Sequence, residues 1–148
     1  MTVRTRLLDR EVGRALATVS AAAKKGLGDP GLAELVVIRA SQLNHCAFCL
    51  DMHLAAAREL GVSERQLDMV AAWEEAEGVF DERERAALAL TEAVTVLTEG
   101  FVPDQVYARA AAHFDEGQLA HLIGLITAIN NWNRVMVSRR IEPGGYPS

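Results

Sequence analysis

The chain has 148 residues, half of them hydrophobic, so it is long enough for one domain with a real core and too apolar for disorder. A formal net charge of −5, with Lys24-Lys25 and Arg139-Arg140 as isolated basic pairs, argues against a nucleic-acid surface. No membrane span is expected either: the most apolar segment, Leu119 to Ile129, is interrupted by His121 and Thr127 and falls short of the ~20 residues a span needs.

In chain order, the first predicted helix runs roughly from Val3 to Lys25 and ends at Gly26 and Gly28. Its stretch Ala15 to Ala23, following Arg4 and Arg6, faintly mimics a secretory leader. Asp9 and Glu11 occupy the place of a basic region, however, and Leu16 and Val19 are the only strongly apolar residues there. The segment therefore reads as an amphipathic helix of a cytoplasmic protein. Asp29-Pro30 supplies an N-cap followed by proline at the first helical position. Leu35-Val36-Val37-Ile38 could be a buried strand on propensity, but nothing else in the chain offers it a strand to pair with, so a helix is expected.

Asn44-His45 reads as a break, with Cys46 in the first turn of the next helix. Ser63 to Gln66, Asp81 to Glu84 and Asp115 to Gln118 resemble capping boxes, and Gly61, Gly78 and Gly100 follow helical patterns where a left-handed residue is wanted. Leu67, Val70 and Ala71 fall on one stripe, as do Leu90, Val94 and Leu97. Pro103 opens a short helix ending near His113-Phe114. The helix from Asp115 to about Arg139 is apolar nearly all round, as the central element of a bundle or a subunit interface would be. Pro143 to Pro147 is a tail with little reason to be ordered alone. The expectation is an all-α single domain over residues 1–148, with about six or seven helices around an antiparallel helical hairpin.

That hairpin carries the chemistry. The only two cysteines, Cys46 and Cys49, are three apart, and in a reducing compartment such a pair is more often catalytic or metal-binding than a staple. Taken alone, the pair could equally be two small core residues. On a helix, Cys46, Cys49, His53, Ala57 and Leu60 share one face, and Cβ atoms at this spacing lie about 5–6 Å apart, close enough to bridge with modest adjustment. The helix N-terminus lowers the pKa of both thiols, and His53, one turn beyond Cys49, can accept the Cys49 proton. If the two helices fold back on each other, Glu34 comes level with His53, where a carboxylate would fix the imidazole tautomer.

Zinc is the rival reading. Cys46, Cys49, His53 and His45 are four possible ligands, but a structural site usually draws a second pair from a distant segment, and His113 or His121 would have to serve. A thioredoxin-like strand–CxxC–helix fails for want of the remaining sheet. Asn130, Asn131 and Asn133 crowd the last helix beside Trp132 and Arg134, and are best read as ties between helices or subunits. His113 and His121 read as helix-end and surface or interface residues.

The arrangement Glu34-x11-Cys46-Ala-Phe-Cys49-x3-His53 resembles the AhpD-like alkylhydroperoxidases of the carboxymuconolactone decarboxylase superfamily. The likeness continues through Glu82-Arg-Glu-Arg-Ala-Ala-Leu-Ala-Leu-Thr-Glu and Ile129-Asn-Asn-Trp-Asn-Arg134, covering most of the chain from about Asp29. It implies an AhpD-like helical fold, homo-oligomers of three or six subunits and a cofactor-free peroxidase cycle. In that cycle Cys49 would be peroxidatic, Cys46 resolving, His53 the base and Glu34 the orienting carboxylate. The implied partners are a hydroperoxide substrate and a dithiol reductant of the lipoamide or thioredoxin kind. The best-known branch has a histidine between the cysteines where this chain has Phe48, and the decarboxylase branch lacks the cysteine pair. A protein that senses redox state through the same disulfide, with little turnover, is the alternative.

Overall fold

The computed structural model describes Arg4 and residues 8–144. Among these residues there are seven α-helices and no strand: α1 (Arg10–Leu27), α2 (Pro30–Leu43), α3 (Ala47–Glu59), α4 (Glu64–Met69, continued by a 3-10 turn over Val70–Ala72), α5 (Glu82–Thr95), α6 (Asp104–Ala111) and α7 (Glu116–Arg139). The all-α reading and the helix count hold, and the β-branched run Leu35 to Ile38 is helical.

The caps explain most boundaries. Asp9 accepts the backbone N–H groups of Glu11 and Val12, so α1 starts at Arg10 rather than Val3, which lies outside the described residues. Asp29 caps α2, with Pro30 at its first position. Asp81 with Glu84 and Asp115 with Gln118 form complete capping boxes, whereas Ser63 contributes only the forward half of one. The end of α1 falls at Gly28, in the left-handed conformation, and not at Gly26. Gly26 has a different role: the ring of His121 fills the space where a Cβ would stand, which lets α1 lie close against α7. Of the expected tail, Pro143 and Gly144 form an exposed turn, and the remainder lies outside the described residues.

Two apolar layers share α2. On one side Val36, Val37 and Ala40 meet Leu27 of α1, Leu90 of α5 and Leu122, Leu125 and Ile126 of α7. On the other, Leu35 and Ile38 meet Ala57 of α3, Leu67, Val70, Trp73, Phe80 and Leu88. The central-element reading of α7 therefore applies from Leu119 to Asn133; Val137, near its end, is exposed. Three stripe assignments fail where a helix stops or changes pitch. Leu60 and Leu97 are exposed beyond the last turns of α3 and α5. Ala71 is exposed because the tighter 3-10 turn brings Trp73 inward instead. The indole N–H of Trp73 donates to Glu92, which also accepts from Arg39 at 2.7 Å.

A polar seam crosses this core at the α2–α3 junction. Asn44 donates to Asn130 and Asn133, both at 2.9 Å; Asn133 donates to the Ser41 hydroxyl and Asn130 to that of Thr95, both at 3.0 Å. The asparagines at 130 and 133 thus tie helices together, whereas Asn131 faces solvent. Asn133→Ala should cost about 2 kcal/mol, since it removes a buried donor and acceptor together, while Asn131→Ala should stay within about 0.5 kcal/mol. Urea unfolding of both variants with the cysteines in one redox state measures the difference; equal losses would mean the seam carries no stability.

Candidate active site

The site is built on the turn between α2 and α3. Asn44 ends α2 and His45 takes a left-handed conformation with φ of 53°. His45 N–H then donates to the Gln42 carbonyl and Cys46 N–H to the Ser41 carbonyl at 2.9 Å, the paired bonds of a Schellman motif. Cys46 is consequently the N-cap of α3, one residue ahead of the helix rather than inside its first turn. Its sulfur accepts the backbone N–H of Cys49 at 3.4 Å. The Cα atoms of Cys46 and Cys49 are 5.3 Å apart, and the two sulfurs are joined in a disulfide. Both residues are 1% exposed, packed with Phe48 against Met136 and Ile141.

The hairpin brings Glu34 and His53 together, nineteen residues apart in sequence. His53 Nδ1 lies 2.7 Å from Glu34 Oε2. A carboxylate can only accept, so Nδ1 carries the proton, and in the neutral ring Nε2 is left as the acceptor. Lys24 of α1, which the sequence reading did not single out, donates to the other oxygen, Oε1, also at 2.7 Å. Glu34 itself is 4% exposed. Burial by itself would raise its pKa, but hydrogen bonds from His53 and Lys24, together with their charges, outweigh that, and the carboxyl is held below its ordinary value.

Cys49 and His53 line one cavity of about 450 Å³, walled by Val37, Phe48, Met52, Leu125, Ile129, Trp132 and Met136, with Lys24 at one side. Its size is that of a small-molecule site, and its walls are almost wholly apolar. Trp132 is held there by its indole N–H, which donates to Ser20 of α1 at 3.1 Å. The other histidines are elsewhere: His45 and His113 are exposed, and His121 is engaged with the Gly117 carbonyl. Among the described residues no group of three or more His, Cys, Asp or Glu side chains could hold a metal ion. None of the described helices is long and apolar enough to cross a membrane.

The lowered pKa of Glu34 makes a pH prediction. The unfolded chain takes up this proton first, so the carboxylate's contribution is complete above the ordinary glutamate value near 4.3 and is lost as pH falls through and below it. Unfolding free energies followed from pH 7 to pH 3 should therefore fall less steeply below about pH 5 in Glu34→Gln than in the wild type. Parallel acid limbs would show that Glu34 is not a linked group.

With this geometry established, comparison with known proteins places the chain. The family model for the "Carboxymuconolactone decarboxylase family" matches residues 10–93, a span that includes Lys24, Glu34, both cysteines and His53. The uncharacterized protein YdfG of Bacillus subtilis is 42% identical over 105 residues, covering 71% of this chain and 71% of YdfG. The uncharacterized protein YnjA of Escherichia coli is 38% identical over 98 residues, which is 66% of this chain and 53% of YnjA. The crystal structure of a protein of unknown function from Agrobacterium tumefaciens, with a suggested AhpD antioxidant-defence role, superposes with a TM-score of 0.87 at 32% identity over 91% of this chain and 92% of that one. The chain belongs to the carboxymuconolactone decarboxylase family and is an AhpD-like member of that superfamily.

Proposed function

We propose that this protein is a thiol-dependent peroxidase that reduces organic hydroperoxides through a Cys46/Cys49 dithiol–disulfide cycle, with His53 and Glu34 as its proton relay. The observation that carries this reading is that Cys49 shares an apolar cavity with a histidine whose other ring nitrogen is engaged by a buried carboxylate. In the reduced protein, His53 takes the Cys49 proton, and the thiolate attacks the terminal side of the O–O bond. The bond breaks, the alkoxide receives a proton from His53, and Cys49 becomes a sulfenic acid. The Cys46 thiol then attacks that sulfur, water leaves, and the disulfide forms. A dithiol of the lipoamide or thioredoxin kind restores both thiols.

Two further features support an organic rather than an inorganic peroxide. The cavity walls offer an alkyl or aryl group dispersion contacts that hydrogen peroxide cannot use. Phe48, standing where the best-known branch has a histidine, adds to that wall and leaves the relay as His53, Glu34 and Lys24. Cys46 also has a claim to nucleophilicity, because it sits at the mouth of α3 where the helix dipole favours a thiolate. The base favours Cys49, because of the two cysteines only Cys49 lines the cavity with His53.

Cys49→Ser should abolish peroxide reduction. Cys46→Ser should allow one oxidation and leave a sulfenic acid that dimedone traps on Cys49. His53→Ala should slow that oxidation and shift its pH dependence upward, because the thiol has lost its base. Intact-mass spectrometry of the labelled variants reads the order directly. Label on the Cys49→Ser protein alone would reverse the two roles, and disulfide formation without multiple turnover would make the protein a redox sensor.

The resemblance also supports a homo-oligomer of three or six subunits. Apolar side chains stand exposed on α1 at Val12 and Val19 and around the α5–α6 connection at Leu97, Phe101 and Tyr107. Burying them between subunits would stabilise an assembly. Light scattering should return a mass three or six times that of the chain; a monomer mass across a wide concentration range would overturn this.

A further inference from the structure

The disulfide stands between two separate recesses. Cys49 lines the apolar cavity described above, and Cys46 does not. Cys46 instead lines a second recess of about 350 Å³ on the other side, formed by the start of α3 and the chain at and beyond the end of α7. His45, Ala47, Ile141 and Glu142 contribute to it, and Cys49 does not. Phe48 and Met136 line both recesses and are the partition between them. The Schellman turn creates this division. By holding Cys46 as the N-cap while Cys49 sits at the third position of the helix, it presents the two sulfurs to different recesses.

We propose that the recess at Cys46 is the binding site for the dithiol reductant, so that oxidant and reductant reach the same disulfide from opposite sides. The inference rests on the peroxidase reading for the oxidant side only; the reductant side requires no more than the disulfide itself. One thiolate of the dithiol attacks the Cys46 sulfur from this recess, the Cys46–Cys49 bond breaks, and Cys49 leaves as a thiolate on the His53 side. A leaving thiol that is readily ionised departs faster, and His53 is the group that can hold and return its proton. The second thiolate of the reductant then attacks its own sulfur in the mixed disulfide. This closes the reductant's disulfide and releases Cys46 as a thiolate. Two electrons pass from the dithiol to the protein, and its two protons end on Cys46 and Cys49. The apolar floor of Phe48, Met136 and Ile141, with polar groups of His45 and Glu142 at the rim, fits a small dithiol on a short aliphatic arm.

The test separates the two half-reactions. Reduction of the oxidised protein by dithiothreitol and oxidation of the reduced protein by cumene hydroperoxide are each followed by alkylation quench and mass spectrometry. Ala47 is exposed at the first position of α3 and lines only the Cys46 recess; Ala17 is exposed on α1 and lines only the Cys49 cavity. Ala47→Trp should lower the ratio of reduction rate to oxidation rate by about tenfold, and Ala17→Trp should raise it by a similar factor, as expected when access to one sulfur of a disulfide is blocked. Ile141→Trp fills the Cys46 recess from its opposite wall and should repeat the Ala47→Trp result, which guards against a local effect on the start of α3. If Ala17→Trp slows reduction as much as Ala47→Trp does, or if neither recess variant moves the ratio, both reactants use one opening and the proposal falls. A wild-type protein that dithiothreitol reduces but cumene hydroperoxide fails to oxidise would overturn the peroxidase reading instead. The reduction rates of the three variants would still decide the recess.

Discussion

Glu34 lies in the second turn of a helix whose other buried positions, Ser41 apart, are apolar, and a carboxylate taken out of water there must be paired and hydrogen-bonded. Its two oxygens are satisfied from two different helices, Lys24 of α1 on one side and His53 of α3 on the other. That requirement fixes the relative height of three helices at once. A slip of α3 by one turn would carry His53 about 5.4 Å along its axis and leave Glu34 with a single partner. Removing either partner would leave a buried charge half-compensated, which is where large destabilisation arises. A hydrophobic residue at position 34 would pack the same helices at no such cost, so the carboxylate is better explained by what it does to His53 than by what it adds to stability.

The seam of Ser41, Asn44, Asn130, Asn133 and Thr95 does for the turn what Glu34 does for the helices. Side-chain amides buried in an apolar core tolerate little displacement before they lose a partner. Asn44 is the residue that ends α2, and Ser41 gives its carbonyl to Cys46, so the seam and the Schellman bonds act on the same few backbone groups. The left-handed conformation of His45 costs about 1–2 kcal/mol for a residue with a side chain. Those bonds are positioned to offset it. The consequence is local but exact in effect: Cys46 cannot join the helix, and its sulfur stays at the helix mouth facing the end of α7.

Phe48 is the position at which this chain departs most clearly from the pattern it resembles. A second histidine between the cysteines would place a polar, titratable ring against both sulfurs. A buried phenyl ring makes that space an apolar partition, shared with Met136, and leaves His53 as the one imidazole lining the Cys49 cavity. The aromatic wall continues through Trp132, whose orientation depends on Ser20 of α1. Helix α1 thus reaches the site through Lys24, Ser20 and Ala17, although none of its residues belongs to the motif.

The sequence alone determined what short-range physics determines. Capping residues at Asp29, Asp81 and Asp115 set helix starts, because a side-chain oxygen satisfies an orphan N–H within three residues of itself; the same role of Asp9 was not read, and the first helix was begun too early. The spacing from Glu34 through Cys46 and Cys49 to His53 was enough to bring Glu34 level with His53 if the two helices fold back on each other; that they do so was decided by the packing of α2 and α3, since a short break also allows crossed helices. Errors came where local periodicity changes without a marker: the pitch tightening that turned Trp73 inward in place of Ala71, and the exposed Leu60 and Leu97 beyond their helix ends. Tertiary structure decided the rest. Lys24 and Lys25 are indistinguishable in sequence, and which of them meets Glu34 depends on the rotation of α1, set by its packing on α7 where Gly26 admits His121. The two recesses on either side of the disulfide likewise have no sequence signature, because their walls come from α1, α2, α3 and α7, and only the folded chain brings those walls to the same pair of sulfurs.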